Sequence, residues 1–310
     1  MNERAIVFGC QGEELLGILH GGCLEAKVGV LVIVGGPQYR VGSHRQFVLL
    51  ARALASAGIP VFRFDYRGMG DASGDLRSFE RVGNDIRAAI DSFMEVTPGL
   101  AQVVLWGLCD AASAAIDYAW RDDRVAGMVL LNPWVRTEEG LAKAYLKHYY
   151  LQRVCSLEFW SKVLRGRVDP LASLRSLLSM FKSVASRHGG PSQNGGVNSV
   201  ACVRFDDTQL APGQPLPARM AEGWKRFAGS VLLFLSGDDL TAAEFSNAVS
   251  VSSDWKGLLD RDNVLVQRIQ GANHTFSRSD WRASVEAETV AWVLALQQTG
   301  FAGSIKASCD

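Results

Sequence analysis

The chain has 310 residues, of which 48% are hydrophobic, and its 32 basic and 32 acidic residues give a formal net charge of zero. This length and composition allow one large hydrophobic core, or a core with a smaller subdomain. The balanced charge argues against a nucleic-acid-binding protein and against an acidic tail, because each of these needs many charges of one sign.

No segment of the sequence has the features of an export signal or a membrane anchor. The N-terminus lacks the basic start, apolar core and small-residue cleavage site of a signal peptide. No run of about eighteen apolar residues predicts a membrane-spanning helix. The six cysteines form no C-x-x-C pair, so we expect no zinc site, and no pattern predicts a cofactor. These features predict a cytoplasmic protein with reduced thiols, of which only Cys109 lies in a context that favours chemistry.

Strands and helices alternate along most of the chain. A continuous β-branched run at 28–34 is typical of a strand that is buried on both faces, and the alternation predicts a mostly parallel sheet covered by helices. The predicted strands are 5–8, 14–19, 28–34, 59–64, 103–106, 125–131, 230–235 and 263–269, and the predicted helices are 44–57, 81–93, 111–120 and 284–296.

Residues 136–228 interrupt this alternation. They contain no strand series, whereas 138–154 and 170–184 have helical spacing, and 186–199 is a Gly-, Ser- and Asn-rich segment that predicts a flexible loop. A helical insertion between core strands indicates a lid over a site. We therefore divide the chain into a core of residues 1–135 and 229–310 and a lid of residues 136–228.

The segment Gly107-Leu108-Cys109-Asp110-Ala111 lies between a predicted strand and a predicted helix. This context matches the nucleophile elbow, a strained turn that presents one side chain above a sheet. The pattern G-x-C-x-A departs from G-x-S-x-G at two positions. The helix N-terminus favours negative charge, and therefore a thiolate, and the N–H of Asp110 would be one oxyanion donor. Cys109 is the candidate nucleophile.

Two later loops supply candidate partners for Cys109. His274 follows the last predicted strand, and Asp238 and Asp239 follow the strand before it. An acid there would orient the imidazole and stabilise its charged form. The order nucleophile, acid, histidine along the chain is the one found in enzymes with a nucleophile elbow. We favour Asp239, which lies furthest from the strand end, over Asp238. The alternative is an ordinary surface histidine with turn-forming aspartates.

The second oxyanion donor is expected in the loop that follows residue 34. Pro37 has no N–H, so Gln38 or Gly36 must provide it, and we favour Gln38. His44 could line the same mouth, but a position at the start of a helix without a catalytic role is the simpler interpretation.

Residues 65–74 contain G-x-G-x-x-x-G after a strand, which mimics a dinucleotide-binding turn. However, the preceding strand is not the first of the chain, and no helix opens at the glycines. We expect a structural loop below the active site, and the alternative is a nucleotide-dependent enzyme.

Five segments together resemble a known family of bacterial enzymes. They read GGPQYRxGSHRQF, FRFDYRGMGD, GLCDA, SGDDLTAAEF and GANHTFS and span nearly the whole chain. The set resembles the exosortase A system-associated hydrolase 1 family of α/β-hydrolases, which are similar to serine aminopeptidase- and lysophospholipase-like hydrolases. The resemblance implies an α/β-hydrolase fold with Cys109, Asp239 and His274 as the catalytic set. It implies no substrate, because that family is named by its gene neighbourhood.

The candidate residues predict acyl transfer through a covalent acyl-cysteine. The substrate would be a small-molecule ester or thioester, free or carrier-bound, which makes the protein an esterase or thioesterase. Because the intermediate is itself a thioester, an acyltransferase that uses an amine, thiol or alcohol acceptor is an alternative. A non-catalytic relative that binds a small molecule is a further alternative, although such relatives typically lose the histidine or the acid. The sequence leaves the oligomeric state open.

Overall fold

A computed structural model describes residues 3–23, 25–36, 38–135 and 214–306, with side chains up to residue 298. The strands are β1 Glu3–Cys10, β2 Glu13–His20, β3 Val28–Ile33, β4 Val61–Phe64, β5 Gln102–Leu108, β6 Val125–Leu131, β7 Ser230–Ser236 and β8 Val264–Ile269. The helices are α1 Gln46–Ser56, α2 Gly83–Val96, α3 Asp110–Ala119, α4 Leu216–Arg226, α5 Leu240–Val251 and α6 Ser279–Lys306.

The eight strands form one sheet in the order β1-β2-β4-β3-β5-β6-β7-β8. β1 and β2 form an antiparallel hairpin, and β2 pairs antiparallel with β4. The strands from β3 onward pair in parallel with their neighbours. The predicted α/β-hydrolase fold, with its mostly parallel sheet, is therefore confirmed.

The centre of the sheet is buried on both faces. Side chains alternate between the two faces of a strand, and every residue of β3, and all of β5 after Gln102, is buried. A continuous apolar run is the pattern expected of such strands. The carboxyl ends of parallel strands lie at one edge of a sheet, so the segments after β5, β6, β7 and β8 come together there. Cys109, Asp239 and His274 all lie in these segments.

The helix α4 lies inside the stretch 136–228 that the sequence assigned to a lid, but it packs on the core. A side chain at Gly223 would lie 2.7 Å from the Ile116 carbonyl of α3. Trp224 is 1% exposed, and the indole N–H of Trp255 donates to the Pro217 carbonyl at 3.0 Å. The core thus includes residues before the predicted boundary at 229. The predicted lid helices at 138–154 and 170–184 and the loop at 186–199 lie outside the described residues.

Two other helices differ from the sequence prediction. α5 was not predicted, and it begins directly after Asp239, whose side chain accepts a hydrogen bond from the Ala242 N–H at 3.0 Å and so caps the helix. α6 begins at Ser279, five residues before the predicted start. In the part of the chain that the structure describes, no helix is long and apolar enough to cross a membrane.

Candidate active site

Cys109 lies in a sharp turn between β5 and α3, and its backbone is strained. Its φ of 62° and ψ of −123° belong to a region that residues other than glycine seldom adopt. Its N–H donates to the Leu131 carbonyl at 2.9 Å, and its carbonyl accepts from the Trp134 N–H at 3.2 Å. The segment after β6 therefore holds the turn, which presents a half-buried Cys109 at the N-terminus of α3 as a nucleophile elbow does.

The elbow requires glycine two positions before Cys109. A Cβ at Gly107 would lie 2.6 Å from the carbonyl carbon and oxygen of Ala111, which is closer than real atoms approach. Ala111, at the position where the usual motif has its last glycine, is 1% exposed. The methyl group of Ala111 therefore fits within the core, at the position where the usual motif has glycine.

His274 lies in the loop after β8 and contacts Asp239. The distance between His274 Nδ1 and Asp239 Oδ2 is 3.0 Å, and the side chains are 35% and 8% exposed. Asp238 is exposed, and its N–H donates to the Ala272 carbonyl at 2.9 Å. Of the two aspartates, Asp239 is therefore the one placed to orient the imidazole.

The pKa of His274 is strongly shifted by its partners. Burial lowers the pKa of the imidazole, but the hydrogen bonds and negative charges of Asp239 and Cys109 outweigh burial and raise it to about 10. The ring is therefore charged at neutral pH. Because Cys109 contributes a side-chain hydrogen bond to this shift, the same ring connects the carboxylate and the thiol.

The loops that carry Asp239 and His274 pack tightly against each other. A Cβ at Gly237 would lie 2.7 Å from the Gly271 nitrogen, and Gly271 has a φ of 71°. Glycine at these two positions lets the backbones approach. The close approach brings two catalytic candidates from different strands to hydrogen-bonding distance.

The loop after β3, residues 35–42, approaches Cys109 from the other side. The Gly36 N–H donates to Asp110 Oδ2 at 2.8 Å, and the Gln38 N–H donates to the Gly35 carbonyl at 3.3 Å. Of the two candidates for the second oxyanion donor, the Gln38 N–H makes the longer hydrogen bond and the Gly36 N–H the shorter one. Gln38 therefore remains the candidate. Asp110 contributes both its backbone N–H at the start of α3 and the carboxylate that holds this loop.

The same loop is held at its other end by buried charges. Asp65, which is fully buried, accepts hydrogen bonds from the backbone N–H and the guanidinium of Arg40. The guanidinium of Arg63, 3% exposed, donates to the Arg40 carbonyl. Arg40 also pairs with Asp71 at 2.6 Å. Sequence reasoning assigned no role to Asp65, although the D-Y-R-G-x-G motif that contains it was noted.

A cleft of about 690 Å³ opens beside the loop of residues 35–42. The segment after β4 and Asp110 complete its walls. Its apolar and aromatic lining side chains are Tyr39, Tyr66, Met69, Leu76 and Phe79, and the charged Arg77 also lines it. Within this segment Gly68 and Gly70 have positive φ, and a side chain at Gly70 would collide with Asp65. Turn formation thus accounts for these glycines without a nucleotide.

The remaining candidates lie outside this constellation. His44 is exposed in the short 3₁₀ turn that precedes α1, with a φ of 52°. Among the described residues, no group of three or more His, Cys, Asp or Glu side chains is placed to hold a metal ion.

Sequence reasoning also missed Asn132, which lies directly after β6 and contacts the His274 loop.

Comparison with solved structures finds the same fold in several hydrolases. An esterase from Pyrococcus furiosus superposes with a TM-score of 0.60 at 13% identity, covering 96% of this chain and 91% of that one. Est1E from Butyrivibrio proteoclasticus, with ferulic acid bound, gives 0.57 at 15% identity, covering 95% and 100%. A proline iminopeptidase from Mycobacterium smegmatis gives 0.56 at 12% identity, covering 96% and 100%. At these identities the similarity establishes the fold alone.

Comparison of the sequence with curated proteins finds no match. A family model does match, over residues 26–185, which is just over half of the chain. The matched residues include the elbow and the loop of residues 35–42. The chain therefore belongs to the serine aminopeptidase S33 family of α/β-hydrolases.

Proposed function

We propose that this hydrolase cleaves an ester or thioester through a covalent acyl-cysteine on Cys109. The observation that carries the proposal is the placement of the His274 imidazole, whose Nδ1 lies 3.0 Å from Asp239 Oδ2 and whose pKa is raised by both Asp239 and Cys109. The strained φ of Cys109 adds to it, because strain of this kind is concentrated at functional sites. The motif resemblance to the exosortase A system-associated hydrolases also favours the same three residues.

In the first half of the reaction the Cys109 sulfur attacks the carbonyl carbon of the substrate. The electron pair of the carbonyl moves onto oxygen, where the N–H groups of Asp110 and Gln38 would stabilise it. When the tetrahedral intermediate collapses, the bond to the leaving alcohol or thiol breaks. His274, which takes up the proton that the attacking thiol gives up, donates it to this leaving group and is left neutral.

In the second half His274 must accept a proton from water. The imidazole is neutral after it has protonated the leaving group, so it can act as the base for the attacking water. The water oxygen replaces the sulfur on the carbonyl carbon. His274 returns the proton to the sulfur, and the acid and the thiol are released. Asp239 keeps the ring oriented in both halves.

The cleft favours an apolar acyl or aromatic group. Its walls carry aromatic and aliphatic side chains, together with the charged Arg77 and Asp110. Burial of apolar surface stabilises binding by roughly 25 cal/mol per Å². An aryl or medium-chain acyl group therefore matches the apolar part of this surface.

The test is intact-protein mass spectrometry after brief incubation with p-nitrophenyl esters and acyl thioesters. We expect an acyl adduct that maps to Cys109 and is absent from Cys109→Ala. Cys23, which is an exposed free cysteine, provides the matched control, because Cys23→Ser should leave the adduct unchanged. An adduct on Cys23 instead would indicate non-specific acylation.

The same experiment distinguishes the alternatives. Faster loss of the adduct with added amine or thiol than with water alone would identify an acyltransferase. No adduct and no turnover, with His274→Ala indistinguishable from wild type in every assay, would refute the proposal and favour a small-molecule-binding relative.

A further inference from the structure

Asn132 follows directly after β6 and is completely buried. Its φ is 44°, in the left-handed region, which asparagine tolerates better than most residues. A buried polar side chain in a strained conformation requires compensating hydrogen bonds. Asn132 has them, and each leads toward the candidate active site.

The side-chain amide of Asn132 joins the acid strand to the histidine loop. Its Nδ2 donates to Ser236 Oγ at 2.8 Å and to the His274 carbonyl at 3.1 Å. Its Oδ1 accepts from the Ser236 N–H at 2.8 Å. Ser236 Oγ in turn donates to the Asn273 carbonyl at 3.0 Å. The backbone of both residues 273 and 274 is therefore fixed by one polar cluster.

The neighbours of Asn132 contact the nucleophile. The Leu131 carbonyl accepts the Cys109 N–H, and the Trp134 N–H donates to the Cys109 carbonyl. The Asn132 N–H donates to the Phe234 carbonyl of β7 at 3.0 Å. Residues 131–134 thus contact the backbone of the elbow, the strand that leads to Asp239, and the loop that carries His274.

Only an amide satisfies this arrangement. Its NH₂ donates twice while its oxygen accepts once. An isosteric aspartate would keep the acceptor, but it would place a carboxylate oxygen against the His274 carbonyl. A serine or alanine would reach neither partner.

We propose that Asn132 is a positioning residue, which fixes the His274 ring relative to both Cys109 and Asp239. The inference rests on the proposed function, since it presupposes that His274 carries the protons. Asn132 does not touch the reacting atoms. It acts through the backbone of the histidine loop.

The test compares Asn132→Asp with wild type, using the p-nitrophenyl ester that wild type turns over fastest. We expect kcat to fall about 100-fold, as a misplacement of about 1 Å does, while KM changes little. We also expect the alkaline limb of the pH profile of kcat/KM to move to lower pH. The reason is that longer contacts to Asp239 and Cys109 would lower the raised pKa of His274.

A stability control separates positioning from simple loss of folding. Ile90 is fully buried on α2, so Ile90→Ala should lower the melting temperature but leave kcat and the pH profile of kcat/KM unchanged. If Asn132→Asp does not fold, Ser236→Ala, which removes one partner of the same cluster, replaces it with the same expected result.

The outcomes are distinguishable. An inactive His274→Ala together with wild-type kcat and pH profile in Asn132→Asp, or in Ser236→Ala, would overturn the inference and leave the proposed function intact. A fully active His274→Ala would overturn both.

Discussion

The carboxylate of Asp110 accepts a hydrogen bond from the Gly36 N–H at 2.8 Å. The residue after the candidate nucleophile, Cys109, therefore holds the loop of residues 35–42. Gly35 must be glycine for this contact, because a side chain there would collide with the carboxylate. The two candidate oxyanion donors, on the two sides of the site, are thus set relative to each other by a single side chain.

Removal of that carboxylate should impair catalysis. We expect Asp110→Ala to reduce kcat/KM for the best ester about 100-fold, similar to the loss of one oxyanion donor. Asp110→Asn should lose less activity for two reasons. Its amide oxygen still accepts from the Gly36 N–H. Its buried side chain also carries no charge, whereas burial raises the pKa of Asp110 by disfavouring the charged carboxylate. Steady-state kinetics measures both, with Asp123→Asn on an exposed turn as the control. Equal rates for Asp110→Ala and wild type would contradict this role.

The buried contact between Asp65 and Arg40 should stabilise the fold. Asp65→Asn leaves the partly buried Arg40 guanidinium without its buried partner, and we expect a loss of about 3 kcal/mol in the free energy of unfolding. Asp71 pairs with the same Arg40 but is 63% exposed, so Asp71→Asn should cost less than about 1 kcal/mol. Urea unfolding of both variants measures the difference. Similar losses in the two variants would show that burial does not govern this pair.

Because the pKa of His274 is raised, its contribution to the free energy of unfolding should be lost at alkaline pH. The folded protein holds this proton up to a pKa of about 10, whereas the unfolded chain releases it near 6.5. The contribution is therefore complete below pH 6.5 and is lost as pH rises through 10. We expect the difference in free energy of unfolding between wild type and His274→Gln to shrink from pH 6 to pH 10, as measured by urea titrations. A difference that stays constant would mean that the shift is absent.

The contribution of His20 to the free energy of unfolding should instead be lost at acidic pH. Burial, together with the nearby charge of Arg63, lowers its pKa to about 4, and its Nε2 accepts from Arg63 Nε at 2.9 Å. The unfolded chain binds this proton first, so the contribution is present above pH 6.5 and is lost as pH falls toward 4. His20→Gln can keep an acceptor for Arg63 without titrating. We therefore expect a smaller loss of stability between pH 6.5 and 4.5 in this variant than in wild type, and equal losses would contradict the assignment.

The sequence was sufficient for the parts of the site that local pattern determines. Cys109 and Asp239 each follow a strongly apolar strand, His274 follows a less apolar one, and glycine marks the turns around them. Such signals lie within a few residues of the side chain concerned, and the order of the three loops follows from the fold. The structure brings these three side chains together.

The parts that the sequence did not predict depend on contacts between distant residues. Asn132 and His274 are 142 residues apart, and Arg40 and Asp65 are 25 apart. A lone asparagine after a strand has no local feature that distinguishes it from a turn residue. The residues of α4 fall inside the predicted insertion, and only their packing against α3 and Trp255 assigns them to the core.

The positive φ of Cys109 has a consequence for how this scaffold can change its chemistry. The turn is fixed by backbone hydrogen bonds and by the absence of a Cβ at Gly107, so it is independent of the atom beyond Cβ of residue 109. Serine and cysteine differ only in that atom. An exchange of sulfur for oxygen at residue 109 therefore needs no accompanying substitution in the backbone framework, so this turn can present either a thiol or a hydroxyl at the same place.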